Sequence, residues 1–211
     1  DLVYHGLDLG RFPEPPARSL RAEDAPLRMM SVGRLVEKKG FDTLIDALAL
    51  LPDGLDWHWT HIGGGALDAV MRARAQAAGV SDRITWRGAC DQPDVIAAMR
   101  SADLFVLPSR IAADGDRDGL PNVLMEAASQ LLPILSTPVS AIPEFITDGV
   151  HGLLAQDTPQ AFADGMLRIA TDPALGPQLA EAAHRRLHAE FTMAPGIAHL
   201  AKRLRGILKT A

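Results

Sequence analysis

The chain has 211 residues, 47% hydrophobic and 22% charged, which is ample for a folded core and places it outside the disordered class. Lys plus Arg number 21 against 26 Asp plus Glu, and the resulting net charge of −5 argues against a broad nucleic-acid-binding face. No run of about 18 apolar residues occurs, and the one cysteine, Cys90, excludes an internal disulfide and a thiolate zinc cluster.

Leu2–His5 reads as a short strand, and the Pro-, Arg- and Glu-rich stretch Asp8–Pro26 as a linker. Beyond it, short apolar runs predict strands at Leu27–Val32, Trp57–Ile62, Arg83–Arg87, Leu104–Pro108, Pro133–Thr137 and Gly152–Leu154. Helical spacing predicts helices at Phe41–Leu51, Ala66–Ala78, Pro93–Ala102, Asn122–Leu131 and Ile142–Ile146. Gly79 is expected to cap the second of these, with Gly40 and Pro93 opening others. After Thr158 the chain turns helical, at Pro159–Thr171, Pro173–Glu190 and Ala194–Leu208. Strand and helix in alternation predict an α/β fold, a parallel sheet with helices on both faces. No leader of basic and apolar residues precedes it, so the reducing cytoplasm is the expected compartment. The chain begins at Asp1 rather than Met and reads as a fragment of a longer protein.

Three segments can carry chemistry. In Val32-Gly33-Arg34-Leu35-Val36-Glu37-Lys38-Lys39-Gly40, Gly33 lets the chain leave the first strand sharply. Arg34 and Lys39 then put positive charge where open α/β sheets bind ligands; the segment is either a phosphate site or a solvated basic turn. Gly63-Gly64-Gly65 is a poor dinucleotide fingerprint, because Asp68 stands at the third glycine position, and fits a close backbone approach or a tight turn. In Asp118-Gly119-Leu120-Pro121-Asn122-Val123-Leu124-Met125-Glu126, amides around Leu120, Asn122 and Val123 can meet an anion at a helix start. Glu126 shares a face with Asn122 and, amid apolar neighbours, calls for hydroxyl donors from a ligand or for a structural arginine.

Taken in order, these segments resemble the C-terminal, donor-binding half of a GT-B-fold, retaining family-4 glycosyltransferase. The matching stretches are Tyr4-His5-Gly6-Leu7-Asp8, Val32 to Gly40, Ile62-Gly63-Gly64-Gly65, Ile84 to Gly88, Ser101 to Ser109, Asp118 to Glu126 and Ile142 to Leu154. The run Gly115 to Pro121 further resembles exopolysaccharide or colanic-acid-type members. The resemblance implies a doubly wound, Rossmann-like sheet, with residues 1–26 as interdomain crossover strand and linker, 27–157 as the nucleotide-sugar-binding core and 158–211 as C-terminal helices of the same domain.

It further implies a nucleotide diphosphate sugar as donor, a saccharide or lipid-linked acceptor, and no obligatory metal or other cofactor. Arg34 and Lys39 would meet the diphosphate, Asp118 the donor sugar, and the backbone of Gly119, Leu120, Pro121, Asn122 and Val123 the distal phosphate. Glu126 would meet the ribose, while Gly33 and Gly63 line the cleft and Arg87, Gly88 and Ala89 border the base. The partner is an N-terminal Rossmann-like domain carrying the acceptor site, outside this chain, so that this half alone would bind donor and transfer almost nothing. Lipid-linked acceptors would bring such an enzyme to the inner membrane face.

Two departures stand out. The family's Glu-x7-Glu is Asp118-x7-Glu126, and the glycine usual after that helix is absent from Ser129-Gln130-Leu131-Leu132-Pro133. Asp118 keeps open a non-catalytic nucleotide- or phosphate-binding module, and the fold class a GT-B nucleotide-sugar epimerase. His184 and His188 have metal-pair spacing but no third ligand, and His58 and His61 point to opposite faces of a strand. Ser109, Ser136 and Ser140 lack a nucleophile elbow. The tail His199–Lys209 is a basic amphipathic helix, suited to domain packing or a membrane surface.

Overall fold

The structure, a computed structural model, describes residues 3–22 and 25–210, with side chains of the last helix described as far as 205. Strands β1 (Leu27–Val32), β2 (Trp57–Ile62), β3 (Ile84–Trp86), β4 (Leu104–Leu107), β5 (Ile134–Ser136) and β6 (Leu153–Leu154) form one six-stranded sheet. Its order is β3-β2-β1-β4-β5-β6 and every pairing is parallel. The strand order reverses between β1 and β4, the crevice where doubly wound sheets bind ligands. Leu104, Phe105, Val106 and Leu107 are all buried, as a central strand covered on both faces requires. In β2 the two tryptophans, Trp57 and Trp59, face inward while His58 and Thr60 are part-exposed.

The helices are α1 (Phe41–Leu48), α2 (Asp68–Ala77), α3 (Gln92–Ser101), α4 (Asn122–Ser129), α5 (Ile142–Phe145), α6 (Pro159–Thr171), α7 (Leu175–Glu190) and α8 (Met193–Thr210). Side chains cap two of them: Asp91 accepts from Asp94 N at 3.0 Å and Thr158 from Ala161 N at 3.3 Å. Gly79 ends α2 in the left-handed region, as expected. Helix α1 stops three residues short of the expected Leu51, before a turn at Pro52. Helix α4 stops at Ser129, and Leu131 beyond it is left-handed at φ 52°, the place where the expected glycine is missing.

One predicted strand is not formed. Val3–His5 is irregular, and Leu2 lies outside the described residues. Instead Leu7 bridges to Thr192, donating its N–H to Phe191 O at 2.8 Å and accepting from Met193 N at 3.1 Å, with Tyr4 stacked on Phe191 at 4.6 Å. The N-terminal segment is thereby pinned to the α7–α8 junction. The linker is also tied down. Arg18 donates to the carbonyls of Met99, Ala102 and Gln130 at 2.7–3.0 Å, closing the C-terminal ends of α3 and α4. Burial lowers the Arg18 pKa to about 10, with the Asp103 carboxylate opposing the shift.

Of the tail, Ile197, Leu200 and Leu204 are exposed along α8, while Ile207, Leu208 and Lys209 lie beyond the described side chains. No described helix is long and apolar enough to cross a membrane.

Candidate functional site

Four turns meet at the carboxyl edge of the sheet, and backbone hydrogen bonds stitch them together. Gly33 N donates to Ile62 O at 3.0 Å, Leu35 N to Gly64 O at 2.9 Å and Gly63 N to Gly88 O at 2.7 Å. Gly63 has φ 137°, and a Cβ there would overlap the Gly33 carbonyl, so the β1 and β2 turns touch only because this residue is glycine. Gly40, at φ 66°, packs on the Pro108 carbonyl in the same way and joins the β1–α1 turn to the end of β4. Gly33 itself has no positive φ, and a Cβ there would meet Lys39 Cε at 3.4 Å.

The loop after β4 is fastened to the β1–α1 turn. Arg110 donates its backbone N–H to Lys38 O at 2.9 Å and its Nε to Glu37 O at 3.0 Å, and Ala113 N donates to Glu37 Oε1 at 2.8 Å. The Arg110 guanidinium also pairs with Asp42 and lies 3.7 Å from Asp157. This delivers Asp118 to the two lysines: Lys39 Nζ is 2.7 Å from Asp118 Oδ2, and Lys38 Nζ is 3.5 Å from Asp118 Oδ1 and 3.0 Å from Asp116 Oδ1. Bonding to Asp116 raises the Lys38 pKa against the opposing effect of burial, and Asp118 adds to the rise. Arg34 is exposed and, among the described residues, has no ion-pair partner.

Helix α4 begins just beyond this cluster, with Pro121 at its N-cap and no side chain capping it, leaving first-turn amides open. Asn122 Oδ1 is 2.5 Å from His5 Nε2, which brings the N-terminal segment to the same helix end. Glu126 is half-buried on α4, and burial raises its pKa while the more distant Arg11 opposes the rise. The arginine that could have neutralised it donates instead to Gln92 Oε1, at 2.8 Å. No described cation lies within ion-pair distance of Glu126, so the structural ion pair is not what this helix builds. Two strands away, Arg87 is exposed with Asp94 at 3.8 Å, and Gly88 is tied to Gly63 as an isolated antiparallel bridge.

The sequence-predicted residues therefore fall into two neighbouring groups. Gly33, Arg34 and Lys39 lie in the turn after β1, where Lys39 meets Asp118 just before the helix that carries Asn122, Val123 and Glu126, while Gly63, Arg87, Gly88 and Ala89 lie at the ends of β2 and β3. Lys38, Glu37 and Arg110 were not singled out from sequence; only the chain reversal at Gly40 reveals that they hold the loop. His61 is more buried than a surface strand histidine, at 0% exposure. His184 and His188 stack at 4.4 Å with His184 Nδ1 on Ala128 O, and the described residues include no group of three metal-ligating side chains.

Sheet order and edge geometry define a Rossmann-like α/β domain with a charged cleft at its switch point. The family profile for glycosyl transferases group 1 matches residues 26–172, and the chain belongs to that family. It is 37% identical over 183 residues to the amylovoran biosynthesis glycosyltransferase AmsK of Erwinia amylovora, covering 84% of this chain and 45% of AmsK. It is 36% identical over 160 residues to the putative colanic acid biosynthesis glycosyltransferase WcaL of Salmonella typhimurium, covering 75% of this chain and 39% of WcaL. The chain thus spans less than half the length of these two relatives. Among solved GT-B structures, HepE of Anabaena in complex with UDP and glucose superposes with a TM-score of 0.82 at 20% identity, over 97% of this chain and 56% of HepE. The likeness confirms the expected fold.

Proposed function

We propose that this chain is the donor-binding half of a retaining glycosyltransferase that moves a sugar from a nucleotide diphosphate sugar to a saccharide or lipid-linked acceptor in exopolysaccharide biosynthesis. The carrying observation is the half-buried Glu126 carboxylate without a cation, on the helix whose open N-terminus adjoins Lys39 and Asp118. A nucleoside diphosphate supplies what each group lacks. Ribose hydroxyls donate to Glu126, and phosphate oxygens accept from the first-turn amides of α4 and from Arg34 and Lys39. As the sugar leaves, charge builds on the diphosphate, and fixed cations there stabilise the transition state, commonly the largest catalytic contribution. No metal is needed in this scheme. Asp118 orients the sugar, and Arg87, Gly88 and Ala89 border the base.

In this reading residues 1–26 form the crossover and linker, 27–157 the core and 158–211 the closing helices of one domain. The acceptor site belongs to an N-terminal Rossmann-like partner, the enzyme works in the cytoplasm at the inner membrane face where its acceptor is lipid-linked, and the half alone transfers essentially nothing. Support comes from the family membership, the exopolysaccharide names of the relatives and the UDP bound by HepE. Calorimetry of the chain with UDP, GDP and their sugars tests it. One nucleotide is expected to bind, with Arg34→Ala and Glu126→Ala each abolishing the heat; no binding at millimolar nucleotide overturns the reading.

A further inference from the structure

Asp118 is gripped from two sides by neighbouring lysines. Lys39 reaches Oδ2 at 2.7 Å and Lys38 reaches Oδ1 at 3.5 Å, and both lysine side chains are largely shielded. The two grips are unlike. The stem of Lys39 runs over Gly33, where the chain leaves β1. Its ammonium meets Oδ2 outside hydrogen-bond alignment, so this buried oxygen has a charge beside it but no aligned donor. Lys38 is anchored instead: its carbonyl accepts from Arg110 N at 2.9 Å, and its ammonium donates to Asp116 Oδ1 at 3.0 Å. With Glu37 accepting from Ala113 N at 2.8 Å, Lys38 sits in the part of the turn that is tied to the loop after β4.

Locally two lysines face two carboxylates, Asp116 and Asp118, and an anion entering the cleft upsets that balance. A diphosphate draws away the poorly aligned Lys39, which leaves Asp118 a shielded carboxylate beside a second anion. Such a charge is strongly disfavoured unless another cation stays with it. Among the described residues, Lys38 is the other cation within ion-pair distance of Asp118.

We propose that Lys38 is a positioning residue: it keeps Asp118 charged and in place when Lys39 turns to the diphosphate, freeing Oδ2 to accept from a hydroxyl of the donor sugar. Lys38 thereby sets the preference for nucleotide sugar over bare nucleotide without touching either. The ligand consequence rests on the donor-binding reading; the sharing of Asp118 between two lysines does not.

A ligand-free arm measures backbone NMR order parameters at 117–120 in Lys38→Met, Lys39→Ala and the double variant. Each single variant leaves one lysine on Asp118 and is expected to keep the segment rigid, whereas in the double the order parameters fall below about 0.6. A flexible segment in Lys39→Ala alone, or a rigid one in the double, overturns the proposal. A second arm is calorimetry with UDP, GDP and their sugars. Lys38→Met is expected to lose about tenfold of the preference for the sugar-linked form, and Lys38→Arg to keep most of it. In an Asp118→Asn background, Lys38→Met should change the preference by less than about twofold, because Lys38 acts through Asp118. A preference that survives Lys38→Met, or an equal loss in the Asp118→Asn background, overturns the proposal. If wild type binds no nucleotide, the donor reading fails, and the order parameters still judge the shared grip.

Discussion

Lys39 Nζ lies 2.7 Å from Asp118 Oδ2, so a cation of the β1–α1 turn is held by the carboxylate that precedes α4. The pair is largely shielded, with side chains 12% and 18% exposed. A diphosphate entering this cleft competes with Asp118 for Lys39 and also meets its negative charge. Asp118→Asn is therefore expected to bind UDP or GDP alone about fivefold more tightly at low salt, the gain shrinking as salt rises, while losing preference for the sugar-linked form. Lys39→Ala should weaken both. Calorimetry at two ionic strengths checks the sign; weaker binding of the bare nucleotide to Asp118→Asn would end the competition argument.

Glu126 offers a test in which stability and binding move in opposite directions. Its carboxyl pKa is raised by burial, so ionisation opposes folding, and stability at this site rises as pH falls from the raised value towards the unfolded one. Glu126→Gln removes the charge and should leave folding unchanged or stabilise it by up to about 1 kcal/mol. The same change should weaken ribonucleotide binding and erase discrimination against the 2′-deoxy analogue, because the ribose loses its strong acceptor. Urea unfolding and paired titrations with the two nucleotides read both effects. A large loss of stability would return Glu126 to a structural role.

The two adjacent glycines after β2 should behave differently. A Cβ on Gly63 runs into the Gly33 carbonyl at φ 137°, whereas nothing lies within 4 Å of one on Gly64. Gly63→Ala is expected to lose about 3 kcal/mol or more and to disrupt the Arg34–Lys39 turn, and Gly64→Ala to stay within about 1 kcal/mol of wild type. Thermal unfolding of the two variants decides it, and equal effects would show that the turns do not depend on this approach.

Elements with a strong local pattern were legible in the sequence. Leu104 to Leu107 reads as a buried strand because it is apolar on both faces, and β2 because tryptophan alternates with polar residues. The missing glycine after α4 was equally visible, and Leu131 bears the result as a left-handed backbone. Leu2–His5 misled because Tyr4 packs on Phe191 at a helix junction and not on a sheet, and hydropathy does not distinguish the two partners. The charges were identified, but not their pairing. Asp118 is 79 positions from Lys39, and only the placement of β4 beside β1 brings them together. His61 was identified as a strand histidine, but nothing local marks one whose Nδ1 is satisfied on the neighbouring strand.

That histidine gives the fold a specific acid sensitivity. Burial lowers the His61 pKa to about 4 from its ordinary 6.5, with Gly33 and Asp68 opposing the shift and Arg72 reinforcing it. Between those two values the unfolded chain takes up a proton that the folded chain refuses, so stability falls as pH drops from 6.5 to about 4 and this contribution levels off below. A separation of this size corresponds to about 3 kcal/mol. His151, whose pKa is also lowered by burial, acts in the same direction, but it is common to wild type and His61→Leu and cancels in their difference. Urea unfolding of the two proteins at pH 7, 5.5 and 4 should show wild type losing about 3 kcal/mol more than the variant, mostly between the first and last points. Parallel pH profiles would mean that the imidazole is protonated within the fold, and that the carbonyl of Gly33 and the hydroxyl of Ser31 solvate the cation well enough to offset its burial.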